Sequence, residues 1–194
     1  MKKIVLYIFL IFFSFSQKKI FSLDDQLIYQ LENYLNKFNN ISSQFIQSSP
    51  NGKQESGIIL ISKPGKLRIE YKNDSKLLII ADGKWLHYFD IDLNEIQSVV
   101  IEKSPAWILL KGKINLKKDF NVQKLSKNKG KITLTLTDKN IENFKKVELI
   151  FSSTPLKLKK WIITDNQEGE TIVALINTKK VKRFSSKTFK LIEN

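Results

Sequence analysis

The sequence predicts a mainly β chain of the α+β class: about ten or eleven antiparallel strands, one N-terminal helix and one short inserted helix. Three observations carry this. Apolar residues recur at helical spacing only near the start, as Leu27, Ile28, Leu31, Leu35 and Phe38. After Asn40 the period drops to two and stays there. Turn residues then punctuate the chain at Pro50-Asn51-Gly52, Pro64-Gly65, Asn73-Asp74, Asp82-Gly83 and Asn128-Lys129-Gly130.

The first element is a leader. Lys2 and Lys3 precede an apolar run over 4–15, too short for the roughly 20 residues of a membrane span. Residues 1–16 are read as an export signal, with cleavage after Ser16 or as late as Ser22. Residues 17–194 are then one domain. A helix is expected over 23–39, with Ser22 in a weak capping box and Asp24 and Asp25 in the first turn.

Strands are expected over 41–47, 54–62, 66–71, 76–81, 84–89 and 95–101. Asp82-Gly83 reads as a two-residue hairpin loop, which pairs Ile80 with Trp85 and Ile79 with Leu86. Both faces of that ribbon are apolar: Leu78, Ile80, Trp85 and Phe89 on one, Leu77, Ile79, Leu86 and Tyr88 on the other. Antiparallel sheets usually keep one face wet, so both sides call for a cover. The stretch 104–112 predicts a helix, with Ser104 as cap, Pro105 in the first turn and Gly112 at the exit. Strands follow over 120–126, 131–137, 146–152, 158–165 and 170–178, and the tail over 184–194 reads as a last short strand.

Composition narrows the function classes. The formal net charge is +14. Only Arg68 and Arg183 are arginine, the residue suited to bidentate phosphate recognition, which argues against nucleic acid. The charge predicts attraction to anionic surfaces such as a headgroup layer. Cysteine is absent, which excludes disulfides, thiol catalysis and acylation of the chain on cysteine. His87, the single histidine, lies in an apolar strand and reads as packing. Asp90, Asp92 and Asn94 imitate the start of a calcium loop, but Glu95 stands where glycine is needed. No motif for nucleophilic, phosphate-binding or metal-dependent chemistry occurs. The chain is read as no enzyme and as needing no cofactor or metal.

Several pieces, in order, resemble the periplasmic outer-membrane lipoprotein carriers of the LolA type. Phe45-Ile46-Gln47 resembles an F-x-Q strand, and Ser56-Gly57 precedes the next strand. Lys63-Pro64 stands where that family has Arg-Pro, and Arg68 and Tyr71 resemble R-W-x-Y. Asp82-Gly83 matches a D-G turn. Residues 89–96 resemble Y-D-x-D-L-x-Q-V, and Ser104-Pro105 with Leu109-Leu110 resembles T-P-x-x-x-L-L. Trp161, Asp165, Gly169 and Thr171 resemble a late W…D…G hairpin. The resemblance covers about 41–192. Departures are Lys63 for Arg, Phe89 for Tyr and Glu95 for Gln.

The resemblance implies a strongly curved antiparallel sheet, an incomplete barrel whose concave face is covered by helices. It implies a periplasmic carrier that moves acylated lipoproteins from the inner to the outer membrane. An inner-membrane ABC transporter would load it and an outer-membrane acceptor would unload it; it is expected to act as a monomer. Exposing a sixteen-carbon chain to water costs on the order of 12 kcal/mol, at about 0.8 kcal/mol per methylene. The expected acyl-contacting set is therefore Ile59, Ile61, Leu67, Ile69 and Tyr71 on the sheet. Leu27, Leu31, Leu35, Phe38, Trp107 and Leu110 are expected beneath the helices. The family's Arg reaches from the sheet to the helices and holds them closed; Lys63 is the candidate for that latch, with fewer donors. A related envelope-stress sensor or lipid-binding module of the same fold, or a periplasmic hydrolase, are the alternatives.

Overall fold

In the computed structural model, residues 23–72, 75–138 and 144–191 are described. The leader, its cleavage site and the Ser22 cap lie outside them. Helix α1 spans Leu23–Lys37, followed by β1 Asn40–Ser48, β2 Gln54–Ser62, β3 Lys66–Tyr71, β4 Leu77–Asp82, β5 Trp85–Asp90 and β6 Glu95–Val100. A single 3-10 turn at Ile101–Lys103 leads to α2 Trp107–Leu110 and α3 Leu116–Asp119. Then come β7 Asn121–Asn128, β8 Lys131–Thr137, β9 Phe144–Ser153, β10 Leu156–Asp165 and β11 Glu170–Lys180.

All eleven strands form one antiparallel sheet in the order β6-β5-β4-β3-β2-β1-β11-β10-β9-β8-β7. It is not closed: β6 and β7 are its two edges, joined through 101–120. The sheet must curl. β5 and β9 are seven strand steps apart, about 34 Å in a flat sheet at ~4.8 Å per step. Yet Leu86 of β5 and Leu149 of β9 line one cavity. The 101–120 connection runs over the concave side and buries Ile101, Ile108, Leu110, Ile114 and Leu116 there. This is the incomplete barrel with helical cover that the resemblance implies.

Four expectations are corrected. The β4–β5 register is Ala81↔Leu86, Ile80↔His87 and Ile79↔Tyr88, so the loop is Gly83-Lys84, not Asp82-Gly83. Only Gly83 has positive φ (118°). Asp82 stays in the strand and its Oδ1 accepts from the backbone N–H of Lys84 and Trp85, both at 2.8 Å. Each partner shifts by two positions, so the faces remain as expected. The inserted helix is shorter than 104–112. Ser104 closes the preceding 3-10 turn, its Oγ donating to Ile101 O at 2.7 Å, and the helix proper starts at Trp107 with no side-chain cap. The third concerns His87, which is largely buried but does more than pack. Its Nδ1 is 2.7 Å from Ser98 Oγ and its Nε2 3.5 Å from Asp82 Oδ2, on the outer face.

The fourth correction is the tail, which over its described residues is a turn segment, not a strand. It answers what covers the second apolar face. Arg68 stands opposite Ile80 in register, and its Nη1 donates to Thr188 O at 3.2 Å. Phe189 is buried and meets Phe184 edge-on at 5.4 Å. Ile80 is fully buried although it is not part of the concave core. The tail thus shields the outer face at β3–β4.

Candidate functional site: an apolar cavity under the inserted helix

The strand period dictates the site. Ile59 and Ile61 of β2, Leu67 and Ile69 of β3, and Ile79 of β4 share the concave face by alternation, and all line a cavity of about 350 Å³. Val147, Leu149, Trp161 and Val173 form the opposite wall. The 105–110 segment closes it, with Ile108, Leu109 and Leu110 turned inward. Part of the lining is polar, including Tyr71, Gln47 and Thr171, and the Tyr71 hydroxyl donates to Gln47 Oε1 at 3.1 Å. Burial, helped by the Glu55 charge, pushes the Tyr71 phenol up to about 12, so it stays a neutral donor. Its ring meets Phe45 edge-on at 5.3 Å. Gly57 makes that packing possible, because a Cβ there would lie 2.7 Å from the Phe45 ring and 2.0 Å from Glu70 O.

The expected lining divides. Ile59, Ile61, Leu67, Ile69, Tyr71 and Leu110 line the cavity. Leu27, Leu31 and Leu35 of α1 are instead buried in the hydrophobic core away from this cavity, as is Phe38 just beyond the helix. Trp107 lies partly buried against the same core. Among the described residues, these five are not on the cavity wall. Sequence reasoning missed Leu77, Ile79, Leu86 and Tyr88 as site residues, although the face pattern of the β4–β5 hairpin already grouped them.

Lys63 joins the sheet to α1. Its Nζ donates to Leu35 O, near the C-terminal end of α1, at 3.0 Å. Burial pushes its ammonium down to about 8. Two residues on, Gly65 N–H donates to Leu110 O, the end of α2, at 2.9 Å. The β2–β3 turn therefore holds the C-terminal ends of both helices, adding a second donor at Leu35 O, which also accepts from Phe38 N–H at 3.2 Å. α1 has further ties that the sequence did not reveal. Asn36 exchanges two bonds with Ile114, donating to its O at 2.9 Å and accepting from its N–H at 2.8 Å. Glu32 Oε2 accepts from Leu116 N–H at 2.9 Å, and Tyr34 accepts from Leu158 N–H at 2.9 Å. The lining carries no cluster of titratable groups suited to acid–base work. The arrangement can shelter apolar chains and offers polar groups to a small polar head beside the Tyr71–Gln47 pair.

Comparison with known proteins agrees with this geometry. The family model for outer membrane lipoprotein carrier protein LolA matches residues 36–192. The outer-membrane lipoprotein carrier protein of Legionella pneumophila (strain Corby) is 32% identical over 171 residues, 82% of this chain and 82% of that one. The protein of the same name from Dechloromonas aromatica (strain RCB) is 34% identical over 143 residues, 66% of each. Among solved structures, a DUF1329 family protein from Desulfovibrio piger is similar in fold, with TM-score 0.52 at 10% identity, covering 85% of this chain and 96% of that one. By sequence over most of its length and by fold, this chain belongs to the LolA family of outer-membrane lipoprotein carrier proteins.

Proposed function

We propose that this protein carries lipoproteins across the periplasm, from the inner to the outer membrane, with their acyl chains sheltered in the cavity beneath α2. The observation that supports it is an unfilled space on the concave face of the sheet, walled mainly by apolar side chains. Stable interiors leave few voids larger than a water, and a void costs stability. A carrier must tolerate that cost. At about 350 Å³ the cavity lies at the low end of the ~300–1,000 Å³ usual for ligand pockets. More than one long acyl chain requires it to widen.

Ile59, Ile61, Leu67, Ile69, Tyr71 and Leu110 touch the chains first in this reading. Leu27, Leu31, Leu35, Phe38 and Trp107 join them only when the cover moves. Lys63 is the latch. The Tyr71–Gln47 pair suits the ester and amide groups at the head of an acylated terminus. In this reading residues 1–16 direct export, the protein acts as a monomer without catalysis, an inner-membrane ABC transporter loads it and an outer-membrane acceptor unloads it. Among the described residues no helix is long and apolar enough to cross a membrane.

The test is purification of the protein from native membranes, followed by mass spectrometry of what co-elutes. Acylated proteins are expected, and their loss in an Ile59→Trp/Ile69→Trp variant that fills the cavity. Free lipid alone in the wild-type preparation would assign a different cargo.

A further inference from the structure

At one corner of the sheet two neighbouring strands separate. β10 and β11 pair from Lys160↔Ala174 to Thr164↔Glu170. Yet β10 begins at Leu156 and β11 runs on to Lys180. Each strand carries a bulge where the pairing ends. Lys159 is the extra residue of β10, between Leu158↔Phe151 and Lys160↔Ile150. In β11, Asn177 and Thr178 together face Ser43, with Asn177 at φ 54°. Ser43 Oγ holds that bulge, donating to Ile176 O at 2.9 Å and lying 2.8 Å from Thr178 Oγ1. Bulges bend strands and end ladders, which accounts for the split.

A groove of about 520 Å³ opens in the gap. Its floor is apolar, with Phe38, Leu158 and Leu175. Lys37, Lys157, Lys159 and Lys180 surround it, and no carboxylate lines it. None of the four is in an ion pair with a described residue. The stretches 149–164 and 171–191 contain no Asp or Glu at all. On the side facing the gap, neither wall has a strand partner among the described residues. The lower end of β10 pairs outward with β9, and β11 there pairs outward with β1. Their inner edges lack a strand partner. The Leu158 N–H is met by a side chain, the Tyr34 hydroxyl.

We propose that this gap is a docking site for an extended, acidic polypeptide segment of a partner protein, seated as a strand between β10 and β11 with its carboxylates among the four lysines. Such a segment uses all three features: main-chain edges, apolar floor and basic surround. An anionic lipid would use the last two and leave the edges unmet. The site is separate from the cavity, and its occupation does not depend on what the cavity holds.

The probe is a fluorescein-labelled nonapeptide alternating Glu and Val, titrated against the mature chain by anisotropy and by backbone amide NMR. Saturable binding is expected, with shifts at 157–160 and 175–180 and weakening by salt. The Lys159→Glu/Lys180→Glu variant should bind about tenfold less tightly, since two favourable charge contacts become repulsive. A peptide N-methylated at alternate residues keeps its charge, cannot pair as a strand, and should lose about tenfold as well. Equal affinity for the N-methylated peptide, or shifts mapping elsewhere, would overturn the proposal. So would failure of every peptide while phosphatidylglycerol vesicles bind through the same lysines, which would assign the groove to a lipid headgroup.

Discussion

Helices α1 and α2 cover the same concave face and differ in what lies beneath them. α1 sits on a filled core: Leu27, Ile28, Leu31 and Leu35 are all buried. It is held by side chains reaching into two other parts of the chain, Glu32 and Asn36 to 114–116 and Tyr34 to Leu158 of β10. α2 has four residues and covers the void. Its link to the sheet is the backbone bond from Gly65 to Leu110. Both helices bury apolar side chains, Ile108, Leu109 and Leu110 in the case of α2, but α1 has the larger set of polar ties. The part that can yield first is the one above the cavity, where few polar contacts must break. Low-stability regions of a fold are where binding motions concentrate.

The sharpest test sets the filled side against the hollow one. Leu31 is 0% exposed in the core. Leu31→Ala should cost about 2–5 kcal/mol, the range for a large-to-small change in a packed interior. Ile69 already borders empty space. Ile69→Ala should cost less, about 1 kcal/mol, while binding of an apolar dye changes more than in Leu31→Ala. Chemical denaturation and dye titration of both variants measure this. Equal destabilisation would show that the cavity side is as tightly packed as the core side.

Next is the α1 anchor. Asn36→Ala removes both bonds to Ile114 and leaves two backbone groups unmet, at a cost of about 1–3 kcal/mol. Amide exchange should rise in α1 and at 114–120 together. If α2 alone loosened, the division of roles between the helices would be reversed.

This division was only half legible in the sequence. The bounds of β2, β3 and β8 follow from strict alternation between turn residues such as Pro64-Gly65 and Lys129-Gly130. The cavity face followed from the same parity, and it survived an error in the β4–β5 loop because a shift of two positions keeps each side chain on its face. The ties of α1 were not legible. Asn36 and Ile114 are 78 residues apart, and a side-chain amide that bonds a distant backbone leaves no periodic trace. α3 is a single turn within a lysine-rich stretch, below the length at which periodicity shows. Phe184 and Phe189 gave no alternation either, since the tail crosses the outer face instead of pairing with it. The separation of β10 from β11 depends on two bulges, and an extra residue in a strand reads as an ordinary strand residue.

The smallest expected effect concerns Lys63, the contact shared by the sheet and α1. Its ammonium donates to Leu35 O while partly desolvated, which holds its pKa at about 8 against an ordinary 10.5. Between pH 8 and 10.5 the unfolded chain keeps this proton and the native chain does not. Unfolding then takes up a proton, and native stability rises as pH increases through that window. Below pH 8 both states are protonated and the burial cost is fully present. The side chain keeps part of its hydration, so the gain should be about 1 kcal/mol or less. Thermal melts at pH 7.5 and 9.5 should show this rise above that of a Lys63→Leu variant, which has no proton to lose. At pH 7.5 the same variant should hold α1 less firmly, because Leu35 O loses a charge-assisted donor. Dye binding and amide exchange in α1 report that second effect. If both match wild type, the desolvation of Lys63 already offsets its bond, and the latch contributes nothing to closing α1 over the sheet.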